Sequence, residues 1–486
     1  MKGIDTIMTD FGIISYGAYV PRLRLDRAAI AAAHKWMAPG LKGQAKGSRA
    51  FTSWDEDAVT MAVEAARDAL VGTDVTTLGA LHLASNTAPY ADLQSAAIVA
   101  GAIRARRSIR SIDVGRSQRA GTSSLAQALA AGDNALVIAS DAPIGKPAST
   151  QELTYGAGAA AFVLGTGPVI ARLIGRASET VDFVDHFRAA DARHDYFWEE
   201  RWIRDEGYAK IAPAAIKGAL ADAGIEIGDV THFAMPSLLR GAADAVAKAV
   251  KFTGAVASPL DDGVGYAGTA HALLMLAHVL ETAKPGERIL LVGFGQGADA
   301  LLFEVTDAIT RLPARRGVSG SIADGLLTDS YMRMLSFYDG IDLEWGMRAE
   351  KPAKTQLTQQ YRSADQMAGF VAGECGACGT VQFPQLQACV NCHAPASQFS
   401  DVPLQDAPAK VLTSTGDWLS YHPAPPLYVG FVQFENGARL LMETVDVGPE
   451  GVERDQDLRM VFRIKERDKV RGYNRYFWKS TPVKTA

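Results

Sequence analysis

Apolar residues recur along the first 305 positions at two spacings, and the two alternate. Short unbroken apolar runs, of the kind buried strands require, fall at 11–21, 80–85, 135–140 and 156–167. Between them lie stretches of helical spacing at 25–34, 55–70 and 93–102. The clearest is 55–70, where acidic residues occupy the expected first turn and Val59, Met61, Ala62, Ala65 and Ala66 follow on one face. The series then repeats, as helix 208–223, strand 230–235, helix 238–252, helix 270–283 and strand 288–293. The ends of the two series align, 133–140 and 156–164 with 286–293 and 297–305. Such self-similarity indicates a duplicated α/β unit. The helices at 122–132 and 270–283 are apolar nearly all round, as helices enclosed between two sheets must be. Two stacked units predict five layers, αβαβα, over 1–310, with halves at about 11–170 and 171–310.

The pattern changes after that. Residues 311–370 are richer in charge, with Arg311, Arg315, Arg316, Lys351 and Lys354, and read as a linker carrying a helix near 329–338. From 401 the chain is strand-rich, with runs at 410–415, 426–434, 438–445 and 458–464. Asn436-Gly437 between two of these runs is a hairpin signal. A small antiparallel β-barrel of the OB type is expected over 401–486, ending in a basic-aromatic tail.

Composition narrows the function classes. The 486 residues are long enough for roughly three folding units. A net charge of −5 argues against a dedicated nucleic-acid protein. No apolar run reaches the roughly 18 residues of a membrane span, and the first residues lack the apolar core of a signal peptide, so a cytoplasmic protein is the expectation. All four cysteines fall between 375 and 392. Cys375-x-x-Cys378 and Cys389-x-x-Cys392 are two knuckles on a hairpin-sized insert, and over 371–400 they read as a structural Zn2+ ribbon. An iron–sulfur site and redox-active dithiols are the competing readings. The tail carries Arg463, Lys465, Arg467, Lys469, Arg471, Arg475 and Lys479 among Tyr473, Tyr476, Phe477 and Trp478. It reads as a solvated strand and docking tail, with nucleic-acid binding or contact with coenzyme A as alternatives.

Candidate chemistry centres on residues 113–124. A strand that turns sharply into a helix presents one side chain where free N–H groups favour developing negative charge. The turn offers Ser117, Gln118, Thr122 and Ser123 but no thiol. The competing reading is a Ser/Thr-capped helix start.

Together these features resemble the thiolase superfamily, in its 3-hydroxy-3-methylglutaryl-CoA synthase branch. The resemblance rests on Gly12 to Arg22, Asp55 to Ala66, Ala120-Gly121-Thr122 and Gly293-Phe294-Gly295-Gln296-Gly297. The cysteine region, with Gly379, Phe383 and Pro384, resembles the zinc-ribbon/OB proteins that accompany such enzymes. The resemblance implies acyl-CoA or β-keto substrates, a homodimer or higher oligomer, and a thiolase-like partner. It also implies that the family's nucleophilic cysteine falls at Gln118, its glutamate at Asn86, and its histidine at Ala234 of Ala234-Met235-Pro236. Tyr266-Ala267-Gly268 stands for its asparagine-bearing turn. With no thiolate, no thioester intermediate forms. Amide donors at Gln118 and the backbone at Phe294 instead suit an enolate, as retro-aldol, retro-Claisen or decarboxylation chemistry requires. Candidate bases are His232, His271, Asp113 and Tyr266, and candidate phosphate partners are Lys42, Lys46, Arg49, Arg193, Arg201 and Arg204. The alternative is a non-catalytic scaffold subunit of a thiolase-type complex.

Overall fold

A computed structural model describes residues 11–347 and 356–483, so Lys351 and Lys354 lie outside the described residues. The chain forms two compact units. The first comprises Met1–Thr52, Asp57–Ala97 and Arg106–Tyr331, and the second Ser53–Glu56, Ile98–Ala105 and Met332–Ala486.

The first unit is built from one motif used twice. Strands β1 (Phe11–Tyr19), β2 (Ala80–Ala84), β3 (Arg110–Val114), β4 (Ala135–Asp141) and β5 (Gly158–Thr166) alternate with helices α1 (Ala58–Ala69), α2 (Ser95–Ala102, counted with the second unit from Ile98 on) and α3 (Ala120–Ala131). Strands β6 (Ala171–Thr180), β7 (His232–Ala234), β8 (Ala255–Val256), β9 (Arg288–Phe294) and β10 (Gly297–Val305) alternate with α4 (Ala209–Ala223), α5 (Ala242–Ala249) and α6 (His271–Leu280) in the same sequence. In each half the spatial order is first, fifth, fourth, second, third. The parallel and antiparallel pairings also match, β2 with β3 and β4 answering β7 with β8 and β9. The halves join at Ile13 opposite Ala171, making one ten-stranded sheet. This is the duplicated α/β architecture that the repeat pattern predicts.

Strand β4 is buried along its whole length, which explains its unbroken apolar run. Helices α3 and α6 pack against one another, and nine of the ten residues of α6 are buried. Their closeness depends on Gly121, where a Cβ would lie 2.4 Å from the Thr269 carbonyl oxygen. Strand β6 escapes the periodicity argument because Arg172, Arg176 and Glu179 break up its apolar positions. Helix α1 starts later than expected, at Ala58. Asp57 is its N-cap, accepting from the Val59 and Thr60 amides at 3.0 Å while the Thr60 hydroxyl accepts from Asp57 N. Helix α5 is shorter than 238–252 because Ser237 closes a turn on Leu239 and Gly241 sits at φ +75° before the first helical residue. Among the described residues no helix is long and apolar enough to cross a membrane.

The second unit carries the small β architecture. The cysteine ribbon is a three-stranded sheet of Val371–Cys375, Val381–Gln382 and Phe399–Pro403. Six further strands form an antiparallel sheet whose longest members, Asp457–Asp468 and Tyr473–Pro482, are the basic-aromatic stretch. A bridge from Thr444 to Ser480 curls this sheet on itself. The stretch is strand, but two of its cations are interior rather than solvated. Arg463 and Lys479 are fully buried. Arg463 pairs with Glu56 at 3.0 Å and Asp446 at 2.7 Å, and Lys479 with Asp55 and Glu443, each at 3.0 Å. Lys479 also lies 4.1 Å from the Trp54 ring centroid. Asp55 and Glu56 thus belong to this ionic cluster rather than to the first turn of α1.

Burial alone would raise Glu443, but Lys479 and His422 outweigh it and hold the carboxyl at about 2. Its folded value is depressed, so its stabilising contribution is present above the ordinary carboxylate range and lost as pH falls towards about 2. Lys479→Met, which removes the ammonium shared by Asp55 and Glu443 and leaves them only His422 and the more distant Arg463, should cost about 3–5 kcal/mol in urea unfolding at pH 7. The deficit should shrink as the pH is lowered below about 4. A deficit that does not change with pH would contradict the assignment.

Candidate active site

Two buried carboxylates organise the loops at the carboxyl ends of the strands. Asp141 ends β4. Its Oδ1 accepts from the Ser85 hydroxyl, the amides of Asn86 and Thr87 and the Thr87 hydroxyl, at 2.8–3.0 Å. Its Oδ2 accepts from the Thr269 amide and hydroxyl, both at 2.9 Å. One side chain thereby ties the loop after β2 to the turn that leads into α6. Asp299 plays the same part in the other half. It accepts from Arg119 at 2.6 Å, Thr122 at 3.0 Å, Ser123 at 2.5 Å and Ser178 at 2.7 Å, and so fixes the first turn of α3.

These anchors place the 116–119 turn. Asn86 donates from Nδ2 to the Ser117 carbonyl at 3.0 Å and accepts from the Arg116 amide at 2.6 Å. The Ser117 hydroxyl donates to the Gly295 carbonyl at 2.9 Å, and Arg119 Nε does so at 3.1 Å. Gly295 is needed there, because a Cβ would stand 2.9 Å from Ser117 Oγ and 3.0 Å from Gln118 N. Asn86 and Ser117 therefore position the turn, and Gln118 stands at its tip, just before α3.

The side chain of Gln118 meets a residue that the sequence patterns do not single out. Its Nε2 lies 2.9 Å from His186 Nε2, while its Oε1 is buried with no hydrogen-bond partner. His186 Nδ1 lies 3.1 Å from Asp185 Oδ1, an ion-pair contact. Burial disfavours the charged ring, but Asp185 and then Asp195 outweigh it, so His186 is raised above the ordinary histidine value. Asp195 accepts from the Tyr155 hydroxyl at 2.5 Å, and Tyr155 stacks on Tyr266 with ring centroids 6.3 Å apart. Burial, reinforced by the surrounding phenols and carboxylates, pushes Tyr155 and Tyr266 well above the usual phenol range. Phe294, the last residue of β9, stacks on Tyr208 at 4.2 Å. The site's polar wall thus comes from residues 181–208, which cross from β6 to α4 through a short two-stranded ribbon, His186–Phe187 paired with Tyr196–Phe197. No periodicity marks that stretch; the only sequence signal is its density of Asp, His and aromatic residues.

Several expected site residues lie elsewhere. His232 is paired with Glu287 at 2.9 Å on β7, beside Ile289 and five residues up the register from Phe294. That separation is about 16 Å along a strand, so His232 is not the base for this site. His271 is buried, with Nδ1 accepting from Ala267 N at 3.2 Å and Nε2 bonded to the Pro259 carbonyl at 2.8 Å. Burial pushes it down to about 4, so it is a satisfied core residue. Asp113 caps α2, accepting from the amides of Ser95 and Ala96. Arg49 is 1% exposed and donates to the Glu152 carbonyl at 2.6 Å, which removes it from the phosphate partners. Lys42, Lys46, Arg193, Arg201 and Arg204 are exposed, with Arg201 in a 3.5 Å ion pair with Asp205.

Comparison with known proteins places this geometry. Residues 220–304 match the family model of the 3-oxoacyl-[acyl-carrier-protein] synthase III C-terminal domain. The hydroxymethylglutaryl-CoA synthase of Methanocella arvoryzae is 34% identical over 318 residues, covering 62% of this chain and 90% of the relative. The chain belongs to the hydroxymethylglutaryl-CoA synthase family. The Methanopyrus kandleri member is 32% identical over 61% of this chain and 88% of its own length. Among solved structures, an HMG-CoA synthase complexed with CoA superposes with a TM-score of 0.58 at 17% identity, covering 69% of this chain and 91% of that one. The Thermus thermophilus beta-ketoacyl-[acyl carrier protein] synthase III gives 0.53 at 20% identity, over 61% and 99%. These two likenesses concern the fold.

In the second unit, the four cysteine Sγ atoms lie within 4.8 Å of one another. Cys375 to Cys392 and Cys378 to Cys389 are each 3.6 Å apart. A tetrahedron of thiolates about 2.3 Å from a central ion has edges of about 3.8 Å, so the donor set fits a tetrahedral soft metal. All four positions are filled by protein, leaving none open for substrate.

Two outcomes follow. Purified protein should carry about one equivalent of metal by elemental analysis, and Cys389→Ser should lower both the metal content and the melting temperature. His186, followed by NMR in histidine-labelled protein, should titrate above the ordinary value of about 6.5, and Asp185→Asn should bring it down. Because the folded value is raised, the stabilisation from Asp185 is full below about 6.5 and fades as pH rises through the folded value. The Asp185→Asn deficit should accordingly be larger at pH 5.5 than at pH 9.

Proposed function

We propose that this protein makes or breaks a carbon–carbon bond next to the thioester of an acyl-CoA, through an enolate and without a covalent acyl-enzyme. The observation that carries the reading is Gln118. It occupies the tip of the turn into α3, its amide faces His186 at 2.9 Å, and no cysteine exists anywhere in residues 1–374. A carboxamide is a poor nucleophile but a good hydrogen-bond donor to a developing oxyanion. The family relationship supports a CoA thioester as substrate, since the curated relatives are hydroxymethylglutaryl-CoA synthases. The exposed basic residues Lys42, Lys46, Arg193, Arg201 and Arg204 are candidate partners for CoA phosphates. Retro-aldol, retro-Claisen and decarboxylation reactions all pass through such an enolate. Cys375, Cys378, Cys389 and Cys392 would hold a Zn2+ ion that stabilises the ribbon and takes no part in the reaction.

The second reading is a non-catalytic subunit that assembles with a cysteine-bearing thiolase. The same lack of a thiol in residues 1–374 favours it. Turnover separates the two. Full-length protein incubated with a panel of β-hydroxyacyl- and β-ketoacyl-CoAs should convert at least one of them, with no mass increase on the protein. Gln118→Leu should lower that rate by about 10²–10³-fold. A stable acyl adduct would overturn the non-covalent mechanism, and an inert wild-type protein would favour the scaffold.

A further inference from the structure

The structure assigns the proton-transfer role of this site to His186, with Asp185 as its positioning residue. The assignment rests on the enolate reading above and adds the group that moves the proton. Three observations support it. First, His186 is the histidine in contact with Gln118, whereas His232 and His271 are committed elsewhere. Second, the contact fixes the tautomer. Gln118 Nε2 can only donate, so His186 Nε2 presents its lone pair at the turn and Nδ1 carries the hydrogen, with Asp185 Oδ1 3.1 Å away as an ion-pair contact outside hydrogen-bond alignment. Third, the Gln118 Oε1 atom is buried and unpartnered. If the ring takes up a proton on Nε2, rotation of the amide brings Oε1 round to accept it. Gln118 thus matches both the neutral and the charged ring, as a partner of an acid–base catalyst must. The charged groups facing His186 are Asp185 and Asp195 from its own segment, and Gln118 is the polar group facing it from the turn into α3.

The balance of the reaction singles out one substrate class. Thiolytic or hydrolytic retro-Claisen cleavage consumes a second nucleophile, and decarboxylation of a β-keto acid needs no base. Aldol cleavage of a β-hydroxyacyl thioester needs a base and an oxyanion donor only. With the Gln118 amide turned from the ring to the thioester oxygen of the bound substrate, the Nε2 lone pair of His186 is released; it removes the β-hydroxyl proton and the oxygen forms a carbonyl. The Cα–Cβ bond breaks, and its electron pair becomes the enolate, whose oxygen accepts from the Gln118 amide. The proton on His186 then passes to the α-carbon, giving an aldehyde or ketone and a shortened acyl-CoA. Atoms, charge and protons balance with no co-reactant.

The full-length protein is assayed in D2O with acetyl-CoA and, separately, with 3-hydroxybutyryl-CoA. Wild type should place deuterium on the acetyl methyl and release acetaldehyde from the hydroxyacyl compound. His186→Gln, with an unchanged circular dichroism spectrum and CoA affinity, should slow exchange by about 10²–10⁴-fold. His186→Asn serves if the glutamine variant does not fold. Asp185→Asn should retain exchange but shift the acid limb of its pH profile to lower pH, because the ring loses the carboxylate that holds its proton. Histidine variants that exchange at the wild-type rate with the same pH profile would overturn the assignment and leave the enolate reading standing. A wild-type protein that neither exchanges nor cleaves would overturn both.

Discussion

Six hydrogen bonds converge on the carboxylate of Asp141, and the site exists because they do. A buried carboxylate is costly unless its oxygens are satisfied. Once satisfied, it fixes every donor around it, since each bond to a charged group contributes about 1.5–3 kcal/mol. Asp141 takes its donors from two loops that are distant in sequence, and Asp299 does the same for the start of α3. A duplicated fold brings the ends of its two inner helices together, and the two carboxylates then lock the loops there into one arrangement. Gln118 is held through its own backbone neighbours, by Asn86 on one side and Gly295 on the other.

That rigidity explains how chemistry can proceed without a thiolate. A nucleophile lowers a barrier by sharing electrons, whereas an oxyanion cradle does so by being aligned before the charge appears. Alignment is what the Asp141 and Asp299 networks supply. The polar wall opposite them, from Asp185 to Tyr208, adds carboxylates, an imidazole and a phenol. Aromatic residues around the site stack in pairs, Tyr155 with Tyr266 and Tyr208 with Phe294.

Local and repeating features were legible in the chain. The cysteine knuckles are visible because metal ligation constrains spacing, and the duplicated helices and strands because burial imposes a period on contiguous residues. Gln118 could be found because a strand-to-helix turn is a local event. What escaped were pairings made at long range by irregular chain. His186 lies 68 positions from Gln118, in a segment with no period to betray it. Arg49 and Arg463 resemble surface cations in composition and are interior in fact, because backbone carbonyls in one case and carboxylates in the other take up their charge. Asp55 and Glu56 sat where a helix wants acidic residues, yet the actual cap is Asp57, one position later. In each case the residue type is legible in the sequence and its partner is not, since partners depend on the whole fold.

The central claim is that a CoA thioester reaches the Gln118 turn. A crystal structure of the full-length protein soaked with coenzyme A tests it most directly. The account predicts that the pantetheine arm ends with its sulfur beside the Gln118 amide and the His186 ring. An arm that ends elsewhere, or a ring and amide that leave the sulfur's end of the pocket, would contradict it.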